Sequence, residues 1–122
     1  MAAPNIVNVT SIYGKTVAAE LDTTVTTSVL ANSASSDKVL KLNSIIVANK
    51  DGSSSASVTI SWYNGTTDFY LAKSIDIPQA STLVVLGKDA PVYLEENQSI
   101  RGGASANGDL DIIISYEEID DA

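Results

Sequence analysis

Apolar and polar residues alternate with a period of two along several stretches of this chain. Val58, Ile60 and Trp62 interleave with Ser57, Thr59, Ser61 and Tyr63. Leu110, Ile112, Ile114 and Tyr116 interleave with Asp111, Ile113, Ser115 and Glu117, and Val25, Thr27, Val29 and Ala31 with Thr24, Thr26 and Ser28. Side chains on a strand point to opposite faces in turn, so the pattern describes antiparallel strands with one buried and one solvated face. Helical periodicity is nearly missing. Strands are predicted over 5–13, 15–21, 24–31, 39–49, 56–63, 68–73, 82–87, either 92–94 or 99–104, and 110–118.

Between these runs the turn residues are explicit. Lys50-Asp51-Gly52-Ser53-Ser54-Ser55 links two of them, Asn64-Gly65 reads as a tight hairpin with positive φ at both positions, and Asn107-Gly108 reads as the turn of a closing hairpin. Pro78 and Pro91 fall at strand starts or edges, where a missing donor is harmless. Leu40 and Leu42 fit one face of their strand while Ile45 and Val47 fit the other, which predicts a β-bulge at Asn43-Ser44. The expected fold is all-β: one antiparallel β-sandwich of about eight strands spanning 1–122, with an N-terminal arm at 1–4 and an acidic tail at 119–122. Val58, Ile60, Trp62, Leu110, Ile112 and Ile114 are the expected core, and Phe69 joins Trp62 on an inward register.

Composition narrows the chemistry. The chain has 122 residues, no cysteine and no histidine, which removes disulfides, thiolate sites, the commonest general base and the commonest transition-metal ligand. Its net charge of −8 opposes nucleic acid and anionic membranes. The start, Met1-Ala2-Ala3-Pro4-Asn5, lacks the basic and apolar regions of a signal peptide, no apolar run approaches a membrane span, and the expected site of synthesis is the cytoplasm. The sequons at Asn8, Asn64 and Asn97 read as chance in a Ser/Thr-rich chain.

The candidate sites are few. Asn107, Asp109 and Asp111 offer hard oxygen ligands suited to calcium, but their spacing matches no known loop, and a solvated turn is the simpler reading. Glu95 and Glu96 are adjacent on an extended chain and point apart, so they cannot flank one bond. Arg101-Gly102-Gly103-Ala104 has the wrong spacing for a phosphate loop. No catalytic residue and no cofactor is expected. Tyr63 and Tyr70 fall on the outward register, as do Ile113 and, by the phase of its strand, Leu30; these and Arg101, the only guanidinium and a candidate for one specific ion pair, are the interface candidates. The acidic Glu117-Glu118 and Asp120-Asp121 serve either solubility or docking on a basic partner.

Three blocks carry a resemblance. Ala3 to Thr16 (APNIVNVTSIYGKT), Lys41 to Asn49 (KLNSIIVAN), and Leu94 to Ser105 (LEENQSIRGGAS) with Ser115 to Ile119 (SYEEI) resemble small virion structural proteins of marine tailed bacteriophages, of the cyanophage type. The resemblance covers essentially the whole chain, lies in strand and turn patterns, and carries over no catalytic residue. It implies a jelly-roll-like or immunoglobulin-like sandwich acting as a capsid decoration or cement protein on the virion surface. The major capsid protein would be its partner, and its first and last strands would be exchangeable with neighbours. A homo-oligomer is expected, a trimer by the geometry of shells. The alternative is a neck-, tail- or fibre-associated β module that binds a host glycan.

Overall fold

The computed structural model describes residues 11–120. Nine strands fill them: β1 (Ser11–Glu20), β2 (Ser28–Asn32), β3 (Lys38–Asn49), β4 (Ala56–Tyr63), β5 (Asp68–Ile77), β6 (Thr82–Leu86), β7 (Val92–Leu94), β8 (Gln98–Ala104) and β9 (Leu110–Asp120). They form two antiparallel sheets, β1-β9-β3-β6 with β7 also on β3, and β2-β8-β4-β5. Both β6 and β7 pair with β3, β6 along Ile45–Ala48 and β7 along Leu40–Leu42, so together they make one edge interrupted by residues 87–91. Pro91, which has no N–H to give a ladder, stands at that break.

The pairings are nested: β1 with β9, β2 with β8, β3 with β6 and β7, and β4 with β5. The chain is thus one long antiparallel hairpin, wound so that successive arms alternate between sheets and closed by β3 on β9 and β4 on β8. This is the jelly-roll order, not the immunoglobulin one. Consecutive strands pair directly with each other only at the hairpin tip, β4 to β5.

Inward residues of both sheets make the core. Leu42, Ile45, Val47, Leu110, Ile112 and Ile114 come from one sheet, and Val58, Ile60, Ile77 and Ile100 from the other; all are buried. Each such side chain contributes roughly 1.5–3 kcal/mol by leaving water. The β3 bulge lies where the phase change predicts it, between Leu42 and Ser44, and it lets both Leu42 and Ile45 face inward. The two central glycines of Arg101-Gly102-Gly103-Ala104 have packing reasons, one for each face of β8. A Cβ on Gly102 would lie 2.6 Å from Ile60 Cδ1 inside, and one on Gly103 would lie 2.8 Å from the Thr24 carbonyl oxygen outside.

Two buried asparagines tie the sheets together at the two ends of β3. Asn32, ending β2, donates from Nδ2 to the carbonyls of Lys38 (2.8 Å) and Leu94 (3.0 Å), both in the opposite sheet. Asn49, ending β3, donates to Ser54 O (3.0 Å) and to Ile77 O (3.0 Å) across the sandwich, and its Oδ1 accepts from Asp51 N–H (3.0 Å).

Several expectations need correction. Leu30 is buried, 8% exposed, and pairs with Ile100 in the core, so it is no interface residue. The predicted strand 24–31 begins only at Ser28 because Asp22 captures the preceding turn: its Oδ1 accepts from Thr24 N–H and Thr27 Oγ1–H. A register shift at Val29 then reverses the face. Phe69 is 54% exposed, since β5 is an edge strand and the ring lies beyond its neighbours' cover. Asn64-Gly65 is the start of a four-residue turn, closed by Asn64 N–H to Thr67 O, with positive φ at Gly65 and not at Asn64. β8 and β9 form no hairpin: the Asn107-Gly108 turn carries the chain from one sheet to the other. The alternatives 92–94 and 99–104 both become strands. Gly14 does not split the first strand, and the expected segment 5–10 and arm 1–4 lie outside the described residues.

Candidate functional site

Each sheet has an outer face, and each face carries a distinct arrangement. On β1-β9-β3-β6, the directly opposed residues Ala18, Ile113, Ile46 and Val84 form a row across all four strands. Val84 is 62% and Ile113 36% exposed; Ile46, between them, is half-buried. The outward position of Ile113 follows from the alternation of β9, whose flanking Ile112 and Ile114 are in the core. Its apolar neighbours on β1, β3 and β6 were not singled out by sequence reasoning, because only the register brings them into line.

Polar rows border this band. On one side Thr16, Ser115 and Ser44 are opposed. On the other, Glu20, Asp111 and Ala48 are opposed, and Lys50 Nζ donates to Glu20 Oε2 and to Asp111 Oδ1 (2.9 Å). These bonds, Glu20 first, hold the Lys50 pKa above the ordinary lysine range. Asp111 is therefore occupied by an ammonium group. Asp109 lies in the preceding turn, where its carbonyl accepts from Lys50 N–H. Among the described residues, no group of three or more Asp, Glu, His or Cys side chains is gathered to hold a metal. Asp51, nearby, has its pKa lowered chiefly by the Ser53 backbone N–H and then by the Ser53 hydroxyl.

The outer face of β2-β8-β4-β5 is different. Arg101, Ser61 and Tyr70 are directly opposed on β8, β4 and β5, and Tyr63 opposes Asp68 in the next row. The guanidinium of Arg101 lies 4.1 Å from the Tyr63 ring centroid, pairs with Asp68 Oδ2 at 3.5 Å, and donates from Nε to Thr26 O at 3.0 Å. Asp68 Oδ1 accepts from the buried Ser61 hydroxyl at 2.9 Å. Tyr70 is exposed, with Lys73 Nζ 4.8 Å above its ring. The structure thus brings three of the interface candidates, Tyr63, Tyr70 and Arg101, onto one face, and it supplies Arg101 with the specific ion pair expected of it. Nearby at the sandwich edge, half-buried Trp62 tilts against Phe69 (6.1 Å between centroids) and donates from Nε1 to Tyr93 O at 3.1 Å.

Chemically, the first face can exclude water against a flat apolar partner, and the second can stack against rings while offering charged anchors. No protein-family model and no curated protein sequence matches the chain.

Proposed function

We propose that the chain is a non-enzymatic structural protein of a phage virion, a capsid decoration or cement protein that adheres to the outer surface of the major capsid protein. The jelly-roll order does not carry this reading, because the fold serves many functions. Its supports are the sequence resemblance and, above all, the apolar row Ala18–Ile113–Ile46–Val84 bounded by polar rows. Such a band is an adhesive strip: its centre loses water on contact and its borders set orientation. A fold clamped between its sheets by Asn32 and Asn49 suits a part that must hold its shape on a particle.

Ile113→Asp tests the reading. The side chain is exposed, so the fold should lose at most about 1 kcal/mol, while binding to particles stripped of the protein should fall at least tenfold. Unchanged binding would refute adhesion through this face. A second reading, a neck, tail or fibre module binding a host glycan, is favoured by one observation: Tyr63 and Tyr70 stand beside the Arg101–Asp68 pair, aromatics next to polar anchors. Tyr70→Ala would abolish binding to host-cell glycans under that reading and leave capsid adhesion unaltered under the first.

A further inference from the structure

The two sheets have four edges, and three of them are blunted against further pairing. At β5 the register with β4 shifts twice and Ser74 takes a positive φ. At β2 the register shifts after Ser28, and the Asp22–Thr27 turn precedes it. The β6 and β7 edge is broken by residues 87–91, with Pro91 at the break. These are the devices by which sheets avoid edge-to-edge association. β1 has no such shift, break or positive-φ kink. Its ten residues pair with β9 without a register shift, it contains no proline, and among the described residues no strand lies on its far side. Nearly every β1 side chain is exposed, Ile12 and Tyr13 included.

We propose that β1 is a docking edge for β1 of a second copy of this chain, joining the two larger sheets in an antiparallel, two-fold dimer. The inference does not depend on the virion reading. An extended edge offers alternating N–H and C=O groups, so its natural complement is another extended backbone. The second copy is favoured by charge. The chain carries −8 overall, yet in β1 Lys15 offsets Glu20, so two copies meet there without a net charge in the paired strands. The register follows as well. A two-fold between antiparallel strands stands perpendicular to the sheet, so opposed residues share a face and their numbers add to an even sum. Centring on Lys15 would oppose two ammonium groups, which destabilises a pair. Centring on Thr16 avoids this and still overlaps Ile12 to Glu20 on both copies, with Lys15 opposite Val17 and Glu20 opposite Ile12. Such a contact links chains in pairs; a trimer needs a different, head-to-tail surface.

Because the chain has no cysteine, Thr16→Cys provides a single thiol on an exposed, outward position at the dyad. Opposed Cα atoms in an antiparallel pair stand about 4.5–5.5 Å apart, within disulfide range. With oxidised glutathione as electron acceptor, the full-length variant should form a covalent dimer at least tenfold faster than Ser28→Cys on the bulged β2 edge. Thr16→Lys, which places an ammonium group against its own copy, should weaken self-association in sedimentation at least tenfold while the circular dichroism spectrum and melting temperature stay at wild-type values. Equal crosslinking rates at the two positions, or undiminished association of Thr16→Lys, would overturn the β1 dimer. Monomers that still bind particles would overturn it too, leaving the virion reading standing.

Discussion

Asn49→Ala removes the clamp between the far end of β3 and the opposite sheet. Asn49 is 2% exposed, and its amide satisfies two carbonyls: Ile77 O, buried at the end of β5, and Ser54 O, at the rim of the β3–β4 connection. A hydrogen bond contributes about 1 kcal/mol net, but a buried acceptor left without a donor costs about 1–3 kcal/mol. Ser54 O is part-buried and within reach of water, whereas Ile77 O is not, so the expected loss is about 2–4 kcal/mol. For a small domain with an m-value near 2 kcal/mol/M, the urea midpoint should fall by about 1–2 M with m unchanged. Asn49→Asp keeps the acceptor for Asp51 N–H but sets an anion against two carbonyl oxygens, so its loss should be larger at neutral pH than in acid. Asn107→Ala, on an exposed turn, should stay within about 0.5 kcal/mol. An Asn49→Ala loss no larger than that of Asn107→Ala would refute the clamp.

Other expectations follow from the same geometry. Trp62→Ala should cost about 2 kcal/mol, below the roughly 3–5 kcal/mol of a fully buried ring, and Trp62→Phe about 1 kcal/mol for the bond to Tyr93 O; equal losses in chemical denaturation would contradict this division. The raised pKa of Lys50 means that its ion pairs support the fold at neutral pH and lose that support as pH rises through the folded value. The melting-temperature gap between wild type and Lys50→Met should therefore close in alkali, and in about 1 M salt as well; a gap that widened with pH would show the sign to be wrong. Dialysis against a chelator, or addition of calcium, should leave the melting temperature unmoved; a rise of several degrees with calcium would bring Asn107, Asp109 and Asp111 back as a site.

Much of this architecture is legible in the sequence, but unevenly. The alternation in β4 and β9 gives their faces because β4 pairs with β8, and β9 with β1, without a register shift. The β3 bulge is legible because apolar residues on both sides of it report the change of phase. Leu30 misleads for a local reason: a short strand preceded by a turn that Asp22 organises carries too few residues to reveal its own phase. The connections mislead for a global one. In a nested hairpin wound into a roll, turn residues mark where the chain reverses but not whether it returns to the same sheet. Asn107-Gly108 and Asn64-Gly65 look alike in sequence, and only the second joins paired strands. The rows on the outer faces lie further out of reach, because Ala18, Ile113, Ile46 and Val84 become neighbours only through the registers of three strand pairs.

The proposal that this chain is a capsid decoration protein is tested most directly by counting it. On that proposal a phage encodes the chain, and quantitative mass spectrometry of its purified particles, scaled to the major capsid protein, should give hundreds of copies per virion. A handful of copies would contradict decoration and move the protein to the neck or tail; absence from the particle would remove the virion reading altogether.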